Sequence, residues 1–86
     1  ALDVAPDGAP YKAEFDAAIN EARRGRWWRA ADVLKRLASN GADTPTTWRN
    51  LATLRSWLAD LSGTVAALRK YASMDVPVDD AVEAEA

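Results

Sequence analysis

The feature that most constrains this chain of 86 residues is a repetition of small and apolar side chains at a fixed interval of 34 positions. Shifting the sequence by this interval places Gly25 on Ala59 and Leu34 on Leu68. Further small or apolar pairs fall into the same register: Trp27 with Leu61, Ala30 with Thr64, Val33 with Ala67, Leu37 with Tyr71. A repeat of this length indicates stacked supersecondary units, because one such unit cannot bury its apolar face alone.

Helical periodicity and helix-end signals predict four main helices, and no stretch alternates as a strand would. The helices are expected at about 11–24, 27–39, 45–59 and 62–74, followed by a short C-terminal helix from Pro77. Gly25 and Asn40-Gly41 are expected to end the first two helices, and Thr44 and Ser62 to cap the last two. Residues 1–10 combine two prolines and a glycine without periodicity, which predicts a flexible N-terminal arm.

Several residues of the second unit resemble the tetratricopeptide repeat (TPR) family. The run Trp48-x2-Leu51-Ala52 is similar to the W-x2-L-G opening of that repeat. The pair Thr64-x3-Leu68 resembles the small-x3-bulky step of its second helix, and Pro77 stands near the place of its closing proline. In the first unit, Gly25-Arg26-Trp27 resembles the turn between the two helices of a repeat.

This resemblance implies an all-α fold, a right-handed stack of antiparallel helical hairpins. The units would span about 11–43 and 44–77, with a partial third unit at 78–86, in a segment excised from a longer protein. Two departures weaken the match. Arg55 occupies the place of a buried aromatic residue, and the first helix has Glu14 and Ala17 where the W-x2-L opening belongs. A generic four-helix bundle is therefore the competing fold.

The resemblance also implies a concave groove lined by the first helix of each unit. On the third helix, the face opposite the apolar sector carries the residues expected to contact a partner: Arg49, Thr53, Ser56 and Trp57. Trp57 has two interpretations. It either packs on a neighbouring unit, which is the favoured one, or it anchors an interface.

Phe15 and Ile19 belong to the same predicted site only if the first helix directs their side chains into the groove. The register of the repeat would direct both side chains into the groove, whereas rotation of the first helix as an end cap would bury them. Burial is favoured, since it is the commoner fate of such residues. The family's carboxylate clamp, which binds acidic C-terminal tails, is incomplete here: Asn50 matches one clamp asparagine, but Phe15 and Ile19 stand where other clamp residues belong.

Charge is distributed unevenly along the chain, whose net charge is −2. A basic belt at 23–36 lies between acidic stretches at 1–22 and 75–86, which favours neutralisation between neighbouring helices. Within the belt, the segment 23–29 (RRGRWWR) interleaves arginines with tryptophans, a pattern found in surfaces that bind single-stranded nucleic acid. Nucleic-acid binding through this segment is a minor alternative, since the whole chain is acidic.

The composition argues against catalysis and metal binding. The chain contains neither cysteine nor histidine, and it has no phosphate-binding glycine motif and no calcium-loop pattern. No enzymatic activity, cofactor or metal site is therefore predicted. No apolar run reaches the length of a membrane span and no signal-peptide pattern is present, so a cytoplasmic location is expected.

These observations predict a protein–protein interaction module that presents a groove to a peptide or partner helix. The alternative is a structural module that mediates self-association, because the ends of a stacked array leave apolar surface uncovered. The sequence does not identify the partner.

Overall fold

A computed structural model describes residues 2–74, which form four α-helices. The helices are α1 (Lys12–Arg23), α2 (Trp27–Ala38), α3 (Pro45–Trp57) and α4 (Leu61–Ala72). The part of the chain that is described contains no strand, so the prediction of an all-α fold is confirmed. The predicted C-terminal helix and the partial third unit at 78–86 lie outside the described residues.

The ends of the helices follow from local sequence signals, with one exception. Thr44 caps α3, its side chain accepting a hydrogen bond from the Thr47 amide at 3.3 Å, and Pro45 occupies the first helical position, as predicted. The prediction of Ser62 as the cap of α4 is wrong. Asp60 caps this helix, because its carboxylate accepts a hydrogen bond from the Gly63 amide at 3.0 Å.

Consecutive helices pack against each other, α1 on α2, α2 on α3, and α3 on α4. Their facing sides are rich in alanine, which lets helix axes approach closely. The larger fully buried side chains fill the space between the helices: Phe15, Ile19, Leu34, Leu51, Leu54. The core therefore lies mainly within the first hairpin and its junction with α3.

The backbone repeats at the interval predicted from the sequence. The bounds of α2, moved along the chain by the interval of the repeat, are those of α4. The turns before both helices also match: the Arg26 amide donates to the Glu21 carbonyl at 3.0 Å, and the Asp60 amide donates to the Arg55 carbonyl at 2.9 Å. Residues 2–74 thus contain two helical hairpins of the same local design.

Burial, by contrast, differs between the two hairpins. Leu34 is fully buried, whereas its counterpart Leu68 is only partly buried against the core. Trp27 and Leu61 both begin a helix, yet their exposed fractions are 36% and 77%. The difference arises because α3 packs on the first hairpin, while no described helix packs on the far side of the second.

The predicted N-terminal arm lies against the helices over its described residues. It forms neither helix nor strand at 2–6, but Ala5 is only 2% exposed and Leu2 packs partly against the core. Hydrogen bonds join Asp3 to Asn50 of α3, and Ala5 to Lys12 and Asp16 of α1. The prolines and the glycine that predict an arm did not predict these contacts.

Candidate interaction surfaces

A recess of about 270 Å³ lies between α3 and α4, on the open side of the second hairpin. We call it the end recess, and its lining comes from both helices: Arg49, Ala52, Thr53, Ser56, Thr64, Leu68, Tyr71. Three of the four predicted partner-contacting residues, namely Arg49, Thr53 and Ser56, lie here together. Trp57 does not line this recess, so the structure divides the predicted site between two surfaces.

Each residue of the end recess corresponds, one repeat interval earlier in the chain, to a residue that is buried in the first hairpin. These counterparts are all apolar: Phe15, Ala18, Ile19, Ala22, Ala30, Leu34, Leu37. They belong to the core cluster that also contains residues of α3. The end recess is therefore the equivalent, in the second hairpin, of a surface that the first hairpin buries.

The serine and threonine hydroxyl groups in the end recess are already engaged with their own helices. Thr53 Oγ1 donates to the Arg49 carbonyl at 3.1 Å, Ser56 Oγ to the Thr53 carbonyl at 2.6 Å, and Thr64 Oγ1 to the Asp60 carbonyl at 2.7 Å. Their donor hydrogens are thus directed to backbone carbonyls. This arrangement makes the recess less polar than its residue types suggest.

Trp57 lies in a second recess, the tryptophan pocket, which is lined by Leu2, Ala22, Arg23, Trp27 and Trp57. The rings of Trp27 and Trp57 lie 5.3 Å apart between centroids and are tilted by 51°. Trp57 remains 42% exposed. It therefore packs on the first hairpin, as the favoured interpretation required, and also offers a large part of its indole to solvent.

Phe15 and Ile19 are fully buried, so they do not form an apolar floor of an open groove. Both belong to the core cluster, and Tyr11 packs on Phe15 at 5.8 Å between ring centroids. Of the two alternatives for these side chains, burial is the one that the structure shows. They are therefore not among the surface residues that a partner can contact.

Asn50, on α3, forms an unexpected contact with the N-terminal segment. Its side chain is fully buried and makes two hydrogen bonds with the backbone of one residue: Nδ2 donates to the Asp3 carbonyl at 2.8 Å, and the Asp3 amide donates to Oδ1 at 3.0 Å. A buried amide needs partners for both its donor and its acceptor, and one residue of backbone supplies them. The sequence pattern indicated Asn50 only as part of an incomplete clamp.

Two charged residues of α1 hold the same segment. The Ala5 amide donates to Asp16 Oδ1 at 3.0 Å, and Lys12 Nζ donates to the Ala5 carbonyl at 2.8 Å. Lys12 and Asp16 also form an ion pair at 2.9 Å. The hydrogen bond from Lys12, followed by that from the Ala5 amide, lowers the pKa of Asp16, and the hydrogen bond to Asp16 raises the pKa of Lys12. Both groups therefore stay charged at neutral pH.

The arginine- and tryptophan-rich segment 23–29 spans the turn before α2. Arg26 forms an ion pair with Glu21 at 2.8 Å, which lowers the pKa of Glu21. The Arg29 guanidinium lies 5.8 Å from the centre of the Trp28 ring, and Trp28 is 60% exposed. Trp28 thus contacts an arginine of its own helix and takes no part in the pair of Trp27 and Trp57.

Within residues 2–74, no group of three or more acidic side chains is placed to hold a metal ion. None of the four helices has the length and apolar character needed to cross a bilayer.

Comparison of the chain with protein-family models, with curated proteins and with solved structures gives no match. The function is therefore inferred from the surfaces described above.

Proposed function

We propose that the chain is a TPR-like protein–protein interaction module without enzymatic activity, and that its end recess receives a helix of a partner protein. The supporting observation is the correspondence between the recess and the buried surface of the first hairpin. In that hairpin, the equivalent residues lie in one core cluster with Leu51, Ala52 and Leu54 of α3, and α3 packs on α2. A helix from a partner would cover the second hairpin in a similar way.

The polarity of the recess indicates which kind of partner fits. Phe15 and Ile19 of the first hairpin are replaced at the equivalent positions by Arg49 and Thr53. A surface of this kind tolerates solvent when it is unoccupied, because its side chains are more polar than those of the first hairpin. It suits a helix that presents small side chains to the threonine methyl groups and to Leu68. A cytoplasmic location forms part of this proposal.

The proposal is tested by comparing two lysine substitutions on α4. Thr64→Lys places a long charged side chain in the end recess, whereas Ser62→Lys places one on the same helix outside the recess. Proteins captured by the wild-type chain are identified, purified and titrated against all three chains by calorimetry. A genuine partner binds Thr64→Lys at least about 10-fold more weakly and binds Ser62→Lys as it binds the wild type. Equal affinity for both variants would refute the recess as the binding site.

A second function, self-association, is favoured by the exposed apolar side chains near the turns. Leu58, Leu61 and Val65 are all substantially exposed, in addition to the tryptophans. Apolar residues placed in this way are found at sites where copies of a protein meet. Sedimentation over a concentration series decides the question: a dimer that Leu61→Lys dissociates supports self-association, and a monomer at all concentrations excludes it.

A further inference from the structure

We infer that α1 and α3 form a peptide-binding site, separate from the end recess, which the N-terminal segment occupies and from which a matching peptide can displace it. We call this the segment site, and define it by Lys12, Asp16 and Asn50. Its ligand is a protein segment without regular structure that carries a small side chain at the position of Ala5.

The chemistry of the segment site is directed to the peptide backbone. Its four hydrogen bonds all join side chains of the helices to main-chain groups of the segment, two at Asp3 and two at Ala5. In each pair, one amide and one carbonyl of the bound residue are satisfied. Such contacts hold a segment whatever its side chains are, provided that its backbone can reach them.

Selectivity comes from two side chains of the segment that face the protein. Ala5 is almost completely buried, so a larger residue at this position would collide with the core. Leu2 packs partly against the core and lines the tryptophan pocket beside Trp27 and Trp57. Between them, Asp3 and Val4 are exposed. The site therefore selects an apolar residue followed, three positions later, by alanine or glycine.

The burial of Asn50 indicates that this site is built to be occupied. Removal of the segment would deprive the Asn50 amide of both backbone partners and expose it to water. A displacing peptide that supplies an equivalent backbone restores both hydrogen bonds and the burial of the amide. Exchange thus replaces one bound segment by another, and the chain's own segment competes at the high effective concentration that covalent attachment gives.

The test uses the full chain and an acetylated, fluorescently labelled peptide of residues 2–9. Ala5→Arg in the protein prevents its own segment from binding, and Val4→Arg, at an exposed position next to it, is the matched control. The peptide should bind Ala5→Arg at least about 10-fold more tightly than it binds the wild type or Val4→Arg, measured by fluorescence anisotropy. A peptide that itself carries Ala5→Arg should not bind.

A second variant covers the case in which Ala5→Arg disturbs the core, which circular dichroism would reveal. Asp3→Pro removes the amide that donates to Asn50 and adds no bulk at a buried position. It should also increase peptide binding, and Asp16→Ala in the same background should reduce it again. Folded variants that bind the peptide no better than the wild type would overturn the inference. Thr64→Lys should leave peptide binding unchanged. Failure of the segment site can therefore be distinguished from failure of the end recess.

Discussion

Gly25 and Ala59, which occupy equivalent positions of the repeat, both adopt a left-handed backbone conformation, with φ of 87° and 59°. Each stands two positions before the first residue of a helix, and each belongs to the turn inside one hairpin. The same turn geometry is thus built once with glycine and once with alanine. Ala59 is the sole residue other than glycine with positive φ in the described part of the chain.

Ala59→Gly should stabilise the protein. The β-carbon of alanine is strained in the left-handed region, whereas glycine enters that region freely. Part of this gain is offset because glycine has more freedom to lose on folding. We expect a net increase of about 1 kcal/mol in the free energy of unfolding, measured by urea denaturation.

The matched control is the opposite substitution at the equivalent position of the other hairpin. Gly25→Ala should destabilise by a similar amount, although no atom would obstruct the added β-carbon within 4 Å, so the cost is one of backbone conformation alone. Equal stability of both variants and the wild type would mean that the two turns do not share this geometry.

The contact between Trp27 and Trp57 should contribute measurable coupling energy. Tilted aromatic pairs at this separation are worth about 0.5–1.5 kcal/mol beyond the area that they bury. A double-mutant cycle with Trp27→Leu and Trp57→Leu should therefore show non-additivity of about 1 kcal/mol in the free energy of unfolding. Trp28→Leu combined with Trp57→Leu is the control. Its effects should add, because the structure shows Trp28 beside Arg29 and not in the aromatic pair.

Equivalent leucines should differ in their importance for stability. Leu34→Ala creates a cavity in the core and should cost about 2–5 kcal/mol. Leu68→Ala, at the equivalent but only partly buried position of the second hairpin, should cost markedly less, since its side chain borders the end recess. Urea denaturation of both variants measures the difference. Similar costs would show that the second hairpin is covered as fully as the first, which would contradict an open recess.

Much of the fold could be predicted from the sequence, because its signals are local. The repeat of apolar residues predicted the matching helices α2 and α4, and the Thr44-Pro45 pair predicted the start of α3. Gly25 and Gly41 mark the ends of the first two helices with positive φ, as expected. Whether the hairpins stack in the right-handed manner of the TPR family stays a prediction.

The surfaces were harder to predict, because they depend on which parts of the chain meet in space. Periodicity placed Arg49, Thr53 and Ser56 on one face correctly, but it could not show that Trp57 meets Trp27 on another surface. It also gave no sign that Asn50 binds the backbone of Asp3, which is remote from it in the sequence. The only available signal was a polar residue beside an apolar helix face, and most residues of that kind simply contact solvent.

The cap of α4 is a case in which the local sequence offers two candidate residues. Ser62 and Asp60 are both residue types that cap helices, and the sequence-based prediction chose the wrong one. Asp60→Ala should lower the free energy of unfolding by about 1 kcal/mol, because the Gly63 amide loses its acceptor. Ser62→Ala should change it by much less, since Ser62 makes only a long contact of 3.4 Å with the Asp60 carboxylate. Equal losses in urea denaturation would restore Ser62 as the cap.

Acid should loosen the N-terminal segment through Asp16. Because the folded state lowers the pKa of this carboxyl, its contribution to stability is complete at neutral pH. That contribution is lost as the pH falls below the ordinary range of aspartate, near pH 4, and through the lowered pKa. Protonation removes the charge that Lys12 and the Ala5 amide stabilise. Lys12 itself stays charged throughout this range, because its pKa is raised.

The measurement compares the wild type with Asp16→Asn, which keeps an acceptor oxygen but does not titrate. The difference between their unfolding free energies should be largest near neutral pH and should shrink as the pH approaches about 3. Protection of the Ala5 amide from hydrogen exchange should fall over the same range in the wild type alone. Glu21 also has a lowered pKa, owing to Arg26, but it titrates in both proteins and cancels in the difference. A difference independent of pH would show that Asp16 does not hold the segment by its charge.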